Sequence, residues 1–216
     1  MMPKHTQNVL LIHGILMNPL EMRFLGWQLE KSGFNIHYVY YQSVLKTPAE
    51  NARIIHDKIQ KLKLDQLHIV AHSLGGLITM HLFDQFDDAL GSIPDGRVVM
   101  LGSPVNGGSW IAKKLHNWPI ISPLLARNMP NALSGKDMPD WKTNRDWGMV
   151  AGVKSLTGLG LFAGGLPNIS DGTVQLEETQ HKDQTAHTTV NMSHTRLLFS
   201  KKVAKLTSRF LNTGKF

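Results

Sequence analysis

The chain has 216 residues and a formal net charge of +7, from 23 Lys and Arg against 16 Asp and Glu, and it contains no cysteine. That length can bury one core without staples and suits a single domain over 1–216, while the lack of cysteine excludes disulfides, thiolate catalysis and cysteine-ligated zinc. No apolar run approaches the ~20 residues of a membrane span, and the polar start from Met1 to Asn8 lacks the cationic segment and apolar core of a secretory signal, so a cytoplasmic location is expected.

The elements alternate along the chain. Val9 to His13 is an apolar run closed by Gly14 and predicts a buried strand. Asn18 and Pro19 supply a cap and a first helical residue, opening a helix to Lys31 and leaving Gly14 to Met17 as a short loop. A strand at Asn35 to Tyr41, a helix at Pro48 to Leu62 and a strand at Leu67 to Ala71 follow. The third strand leads into Ile69-Val70-Ala71-His72-Ser73-Leu74-Gly75-Gly76, a serine between small residues that opens a helix from Leu74 to Phe86. In a nucleophile elbow, G-x-S-x-G, small residues flank a serine held on a strained turn, because the tight backbone leaves no room for larger ones. Ala71 stands in the first glycine place and Gly75 in the second. A serine N-cap on an ordinary helix is the alternative reading of the same residues.

The Ala-His-Ser-x-Gly-Gly passage resembles the α/β-hydrolase superfamily in its small bacterial lipase and esterase branch. The resemblance implies a doubly wound, mostly parallel sheet of about six strands with helices on both faces. It also implies an oxyanion hole built from the amide after the nucleophile, Leu74, and one from the His13-Gly14 loop, Ile15. His13, Gly14 and Leu16 would then border the substrate, and His72 would lie beside it as a packing and hydrogen-bonding residue.

A strand at Arg97 to Leu101 runs into Gly102-Ser103-Pro104-Val105-Asn106-Gly107-Gly108, which resembles the Gly-Ser-Pro turn of many lipases and places Pro104 and Val105 at the rim of the site. Residues 105–147 then read as a lid-like or cap-like insert. Pro119, Pro123, Pro130 and Pro139 break any long helix there, while Trp110, Trp118, Ile120, Ile121, Leu124 and Leu125 make it apolar enough to cover an acyl pocket. Ordinary helix packing accounts for the same residues. After a strand at Trp147 to Val153 comes a glycine-rich apolar loop, Leu156 to Leu166, which offers Leu161 and Phe162 as further substrate contacts.

Asp171, in Ser170-Asp171-Gly172-Thr173-Val174, sits just past a late strand, where the superfamily holds its acid; it would equally cap a helix from Thr173 to Gln180. A strand at His187 to Met192 ends near His194, and a last helix is expected from Thr195 to Leu211. The order Ser73, Asp171, His194 is the nucleophile, acid, base order of this fold. With strands alternating with helices, all of these residues fall at the carboxyl ends of a parallel sheet, where such sheets carry their sites.

These positions imply a serine hydrolase cleaving carboxylic esters through an acyl-enzyme on Ser73, without a cofactor or a metal. A thioesterase, amidase or acyltransferase would use identical machinery, and a non-catalytic lipid- or protein-binding module on the same scaffold is a reading from another class. The expected partner is a small-molecule or lipid ester. The last helix places Lys201, Lys205 and Arg209 on one side and Val203, Leu206 and Phe210 on the other, so its basic face is either simply solvated or drawn to an anionic membrane surface. No nucleic-acid motif accompanies the charge, so no nucleic-acid partner is expected.

Overall fold

Strands with near-continuous apolar runs are stable only when both faces of their sheet are covered, and this chain meets that condition with helices on either side. The computed structural model describes residues 7–86, 92–155 and 164–216. Strands β1 (Asn8–Ile12), β2 (Asn35–Tyr38), β3 (His68–His72), β4 (Val98–Leu101), β5 (Trp147–Gly152) and β6 (Ala186–Val190) form one sheet in the order β2-β1-β3-β4-β5-β6. Every neighbouring pair is parallel.

Side chains alternate between the two faces, as the pleat requires. Leu10, Ile12, Ile69, Ala71, Met100 and Met149 point to one core, shared with α2 (Pro48–Leu62) and α3 (Leu74–Phe86). Val9, Leu11, Val70, Val99, Leu101 and Val150 point to the other, shared with α1 (Arg23–Glu30) and α6 (Lys201–Thr213). The first ten residues of α3 are all buried, as its largely uncharged sequence demands of a helix seated mid-sheet. The crossover from β4 to β5 carries two short helices, α4 (Trp110–Leu115) and α5 (Ser122–Leu125).

Helix starts follow local chemistry. Thr47 and Glu50 form a reciprocal capping box at α2 with Pro48 at its first position, and Asn18 and Glu21 do the same for the turn before α1. That first turn, Pro19–Met22, is 3-10, so the helix expected from Pro19 to Lys31 is α-helical only from Arg23 to Glu30.

Three further expectations are corrected. The helix expected over Thr173 to Gln180 is absent except for a 3-10 turn at Glu177–Thr179. The Asp171 carboxylate takes the Thr173 and Val174 amides, Gly172 has φ of 91°, and Ser170 pairs with Gln175 in an antiparallel bridge, so the segment folds back on itself. The last helix does not run unbroken from Thr195: a 3-10 turn, Thr195–Phe199, ends at Ser200, which is extended and caps α6 through a bond from the Val203 amide. In α6, Lys201, Lys205 and Arg209 are exposed while Val203 and Phe210 are buried, and Leu206 is half-buried. Finally, β2 stops at Tyr38, because Tyr41 leaves the sheet to stack on His13 with ring centroids 4.1 Å apart. Among the described residues no helix is long and apolar enough to cross a membrane.

Candidate active site

Ser73 occupies the single residue between β3 and α3, with φ of 54° in the left-handed region that a side chain with a Cβ rarely adopts. The surroundings hold it there. Its amide donates to Leu101 O on β4 at 3.0 Å, and its carbonyl accepts from Gly76 at 3.0 Å. A Cβ on Gly75 would lie 2.6 Å from the His13 carbonyl oxygen and 2.7 Å from that of Ile12, so only glycine lets α3 approach β1 this closely.

The loop after β1 packs against this turn. A Cβ on Gly14 would stand 3.1 Å from Ser73 Cβ and 3.1 Å from His72 Nδ1. The neighbouring Ile15 amide has no hydrogen-bond partner among the described residues. Leu74, the first residue of α3, likewise has an N–H with no acceptor inside its own helix. Leu16 has φ of 58° and donates its amide to Ser43 Oγ at 3.1 Å, and the Tyr41 hydroxyl donates to the His13 carbonyl, so the loop is fixed from the β2 side.

Asp171 and His194 meet behind β4. The imidazole Nδ1 donates to Asp171 Oδ2 at 2.6 Å, with Asp171 only 1% exposed and His194 8%. The second carboxylate oxygen, Oδ1, accepts from the Thr173 amide at 3.0 Å and the Val174 amide at 2.8 Å, which fixes the plane of the acid. Gly102, the residue after the Leu101 that binds Ser73, lies against this pair: a Cβ there would be 3.0 Å from Asp171 Oδ2 and 3.2 Å from His194 Nδ1. No hydrogen bond joins the Ser73 hydroxyl to the His194 ring. Such bonds commonly tighten only when substrate is present.

Of the residues expected at the site, His72 is buried on β3 and is not among the residues that line the cavity beside Ser73. Its ring lies 4.6 Å from that of His194, and its Nε2 donates to the His194 carbonyl at 3.3 Å. Burial, and secondarily the neighbouring His194, hold its pKa well below the ordinary imidazole value. His13 is also buried and held low in pKa by desolvation, and its Nδ1 donates to Gly14 O at 2.9 Å. Both histidines are buried, and Val105 lies in the core. Leu161 and Phe162 lie outside the described residues.

An apolar cavity of about 80 Å³ opens on Ser73, bordered by Ile15, Leu16, Leu74 and Pro104. Its far walls come from the crossover: Ile111 and Leu115 of α4, Ile121, Leu124 and Leu125 around α5, and Leu133. The acid loop closes it with Thr173 and Val174. Sequence reasoning missed the supporting residues Tyr41, Ser43 and Gly102. Only Gly102 carried a signal, as the glycine of the Gly-Ser-Pro turn. Among the described residues, no cluster of three or more His, Asp or Glu side chains is arranged to hold a metal ion.

With this geometry in place, comparison with known proteins defines the architecture. No protein-family model and no curated protein sequence matches the chain. Solved structures do. The mature form of Bacillus licheniformis lipase BlEst2 superimposes with a TM-score of 0.76 at 18% identity, over 99% of this chain and 94% of that one. A metagenomic carboxyl esterase, MGS0156, gives 0.72 at 15% identity over 98% and 77%. Carboxylesterase CesB of Bacillus subtilis gives 0.63 at 13% identity over 99% and 86%. The chain has the α/β-hydrolase fold.

Proposed function

We propose that this protein is a carboxylic-ester hydrolase of the serine type. The observation that carries the reading is the buried 2.6 Å bond between His194 Nδ1 and Asp171 Oδ2. It commits Nδ1 as a donor and leaves Nε2 as the nitrogen able to take a proton, and the same chain holds Ser73 on a strained strand-to-helix turn at the mouth of an apolar cavity. The lipase and esterases with the same architecture support the same chemistry.

In this reading Ser73 Oγ attacks the ester carbonyl as its proton passes to His194 Nε2, forming a tetrahedral intermediate. Asp171 stays ionised, keeps the imidazole in the tautomer that exposes Nε2 and stabilises the imidazolium that forms. The Ile15 and Leu74 amides receive the negative oxygen, each contributing roughly 3 kcal/mol to the transition state. Collapse breaks the bond to the alcohol, which leaves with the proton from His194. Water, deprotonated by the same nitrogen, then cleaves the Ser73 ester and releases the acid.

The test is labelling by a fluorophosphonate probe followed by peptide mass mapping. The expected result is one adduct on Ser73 and none in Ser73→Ala, with parallel loss of p-nitrophenyl acetate hydrolysis. An unlabelled wild-type protein that hydrolyses no ester would end the proposal.

A further inference from the structure

The excess positive charge of the chain is gathered on one side of the sheet. Helices α1 and α6 are neighbours on the face opposite to the crossover, with Leu25 and Leu29 of one and Val203 and Phe210 of the other in a single core. Residues 23–31 and 191–216, which build this layer, contain eight Lys and Arg and one acid, Glu30, while the rest of the chain contains fifteen of each sign. The layer therefore accounts for the whole net charge of +7. All eight cations are exposed, and among the described residues none is in an ion pair. Folding does not call for this arrangement. Lys201 and Lys202 stand in the first turn of α6, where positive charge opposes the helix dipole, and that turn has no acidic residue to offset them.

Large apolar side chains stand among these charges. Trp27 and Phe199 are 48% and 50% exposed, and Phe24 lies between them, its ring centroid 6.2 Å from that of Trp27 and 6.1 Å from that of Phe199. Leu20, 66% exposed, continues the row four residues before Phe24. Lys31 Nζ sits 3.4 Å over the Trp27 ring, so charge and ring share one patch. A dissolved polyanion would match the cations but leave Leu20 and Phe199 against phosphate and water. An anionic bilayer takes both, with the cations at the level of the phosphates and the apolar side chains at the boundary of headgroups and acyl chains. We propose that the α1–α6 layer is a peripheral docking face for an anionic phospholipid bilayer, held by its cations and by shallow insertion of Leu20, Trp27 and Phe199. Docking involves no step at Ser73 and no movement of the crossover, so it stands or falls apart from the ester-hydrolase reading.

The test is flotation of the full chain with vesicles of phosphatidylcholine alone and of phosphatidylcholine mixed with phosphatidylglycerol. The protein is expected to float with the mixed vesicles only, and to be released between about 0.1 and 1 M salt, as the screening length falls from about 10 Å to about 3 Å. Each Lys or Arg at the surface adds about fivefold to partitioning, so K201Q/K205Q/R209Q is expected to lose on the order of 10²-fold with an unchanged thermal melt. Lipids brominated near the headgroup should quench tryptophan emission in the wild type and not in Trp27→Phe, which still floats, and Ser73→Ala should float as the wild type does. Equal binding to uncharged vesicles, no flotation with either, or no loss in the triple variant overturns the proposal. So does quenching that survives Trp27→Phe and disappears in Trp118→Phe, which assigns the contact to the exposed Trp118 of the crossover. Binding to single-stranded RNA that exceeds binding to the mixed vesicles and is lost in the triple variant overturns it in favour of a nucleic acid.

Discussion

His194 and Asp171 are joined twice: the ring Nδ1 donates to Oδ2 at 2.6 Å, and the main-chain amide of His194 donates to the main-chain carbonyl of Asp171 at 2.9 Å. The second bond survives any change of side chain. Asp171→Asn therefore keeps the two segments together but presents an amide N–H to Nδ1, which forces the ring proton onto Nε2 and blocks the proton transfer proposed from Ser73. The expected outcome is a fall in kcat of about 10⁴-fold at neutral pH with little change in KM or melting temperature. Steady-state kinetics beside a thermal melt measure this, and a loss below about tenfold would dismiss Asp171 as the acid.

Ser73 carries backbone strain that the proposed nucleophile role accounts for. A Cβ at φ of 54° costs roughly 1–2 kcal/mol, and glycine avoids that while losing about 0.5–1 kcal/mol to unfolded-chain entropy. Ser73→Ala and Ser73→Gly should both lose on the order of 10⁴-fold or more in turnover, yet the glycine variant should be the more stable of the two. Urea unfolding of the pair decides it, and equal stabilities would mean that the turn is relaxed.

Gly75 separates packing from chemistry. Because its missing Cβ would meet the main-chain carbonyl oxygens of Ile12, the last residue of β1, and His13 just after it, Gly75→Ala must push α3 away from the sheet. The expected cost is about 1–3 kcal/mol of stability, together with a drop in kcat larger than that of Gly33→Ala, where nothing lies within 4 Å and the strain comes from a φ of 93° alone. An active, unaltered Gly75→Ala protein would contradict the close approach.

Acid should weaken the fold through His68. Burial, with Arg97 adding to it, lowers this pKa from 6.5 to about 4, and the ring accepts the Arg97 amide on Nδ1 at 2.8 Å while Nε2 faces Gln7. The unfolded chain then binds a proton at higher pH than the folded one, so this contribution is complete above about pH 6.5 and is lost as pH falls toward 4. At about 1.4 kcal/mol per pH unit, full loss approaches roughly 3 kcal/mol. His68→Asn, which keeps an acceptor for the amide but cannot titrate, should flatten the slope of urea-unfolding free energy between pH 7 and pH 4. An unchanged slope would assign the acid sensitivity to other groups.

Much of the fold was legible because its signals are local. The apolar runs of β1, β3, β4 and β5, the Thr47-Pro48 and Asn18-Pro19 starts, and the helices Pro48–Leu62 and Leu74–Phe86 depend on neighbours along the chain. The elbow was legible for the same reason, since the closeness of α3 to β1 demands glycine two positions after Ser73. What failed needed knowledge of distant groups. Between Thr173 and Gln180 a helix gave way because Asp171 and Glu178 spend their carboxylates on amides of the loop and of α4. Tyr41 reads as strand by its composition, but its contact with His13 spans 28 positions. Ser200 was a missed local signal, a favoured N-cap residue inside an apparent helix.

β6 is the outermost strand on its side and pairs only with β5. The imidazole proposed as base hangs from the far end of this margin, whereas Ser73 sits mid-sheet between β3 and α3, its amide bonded to β4. Outer strands open more readily than central ones. Warming should therefore silence turnover several degrees before the bulk of the secondary structure melts, and cooling should restore it without passage through the unfolded chain. Hydrolytic rate would then act as a thermometer for one seam of the molecule rather than for the whole.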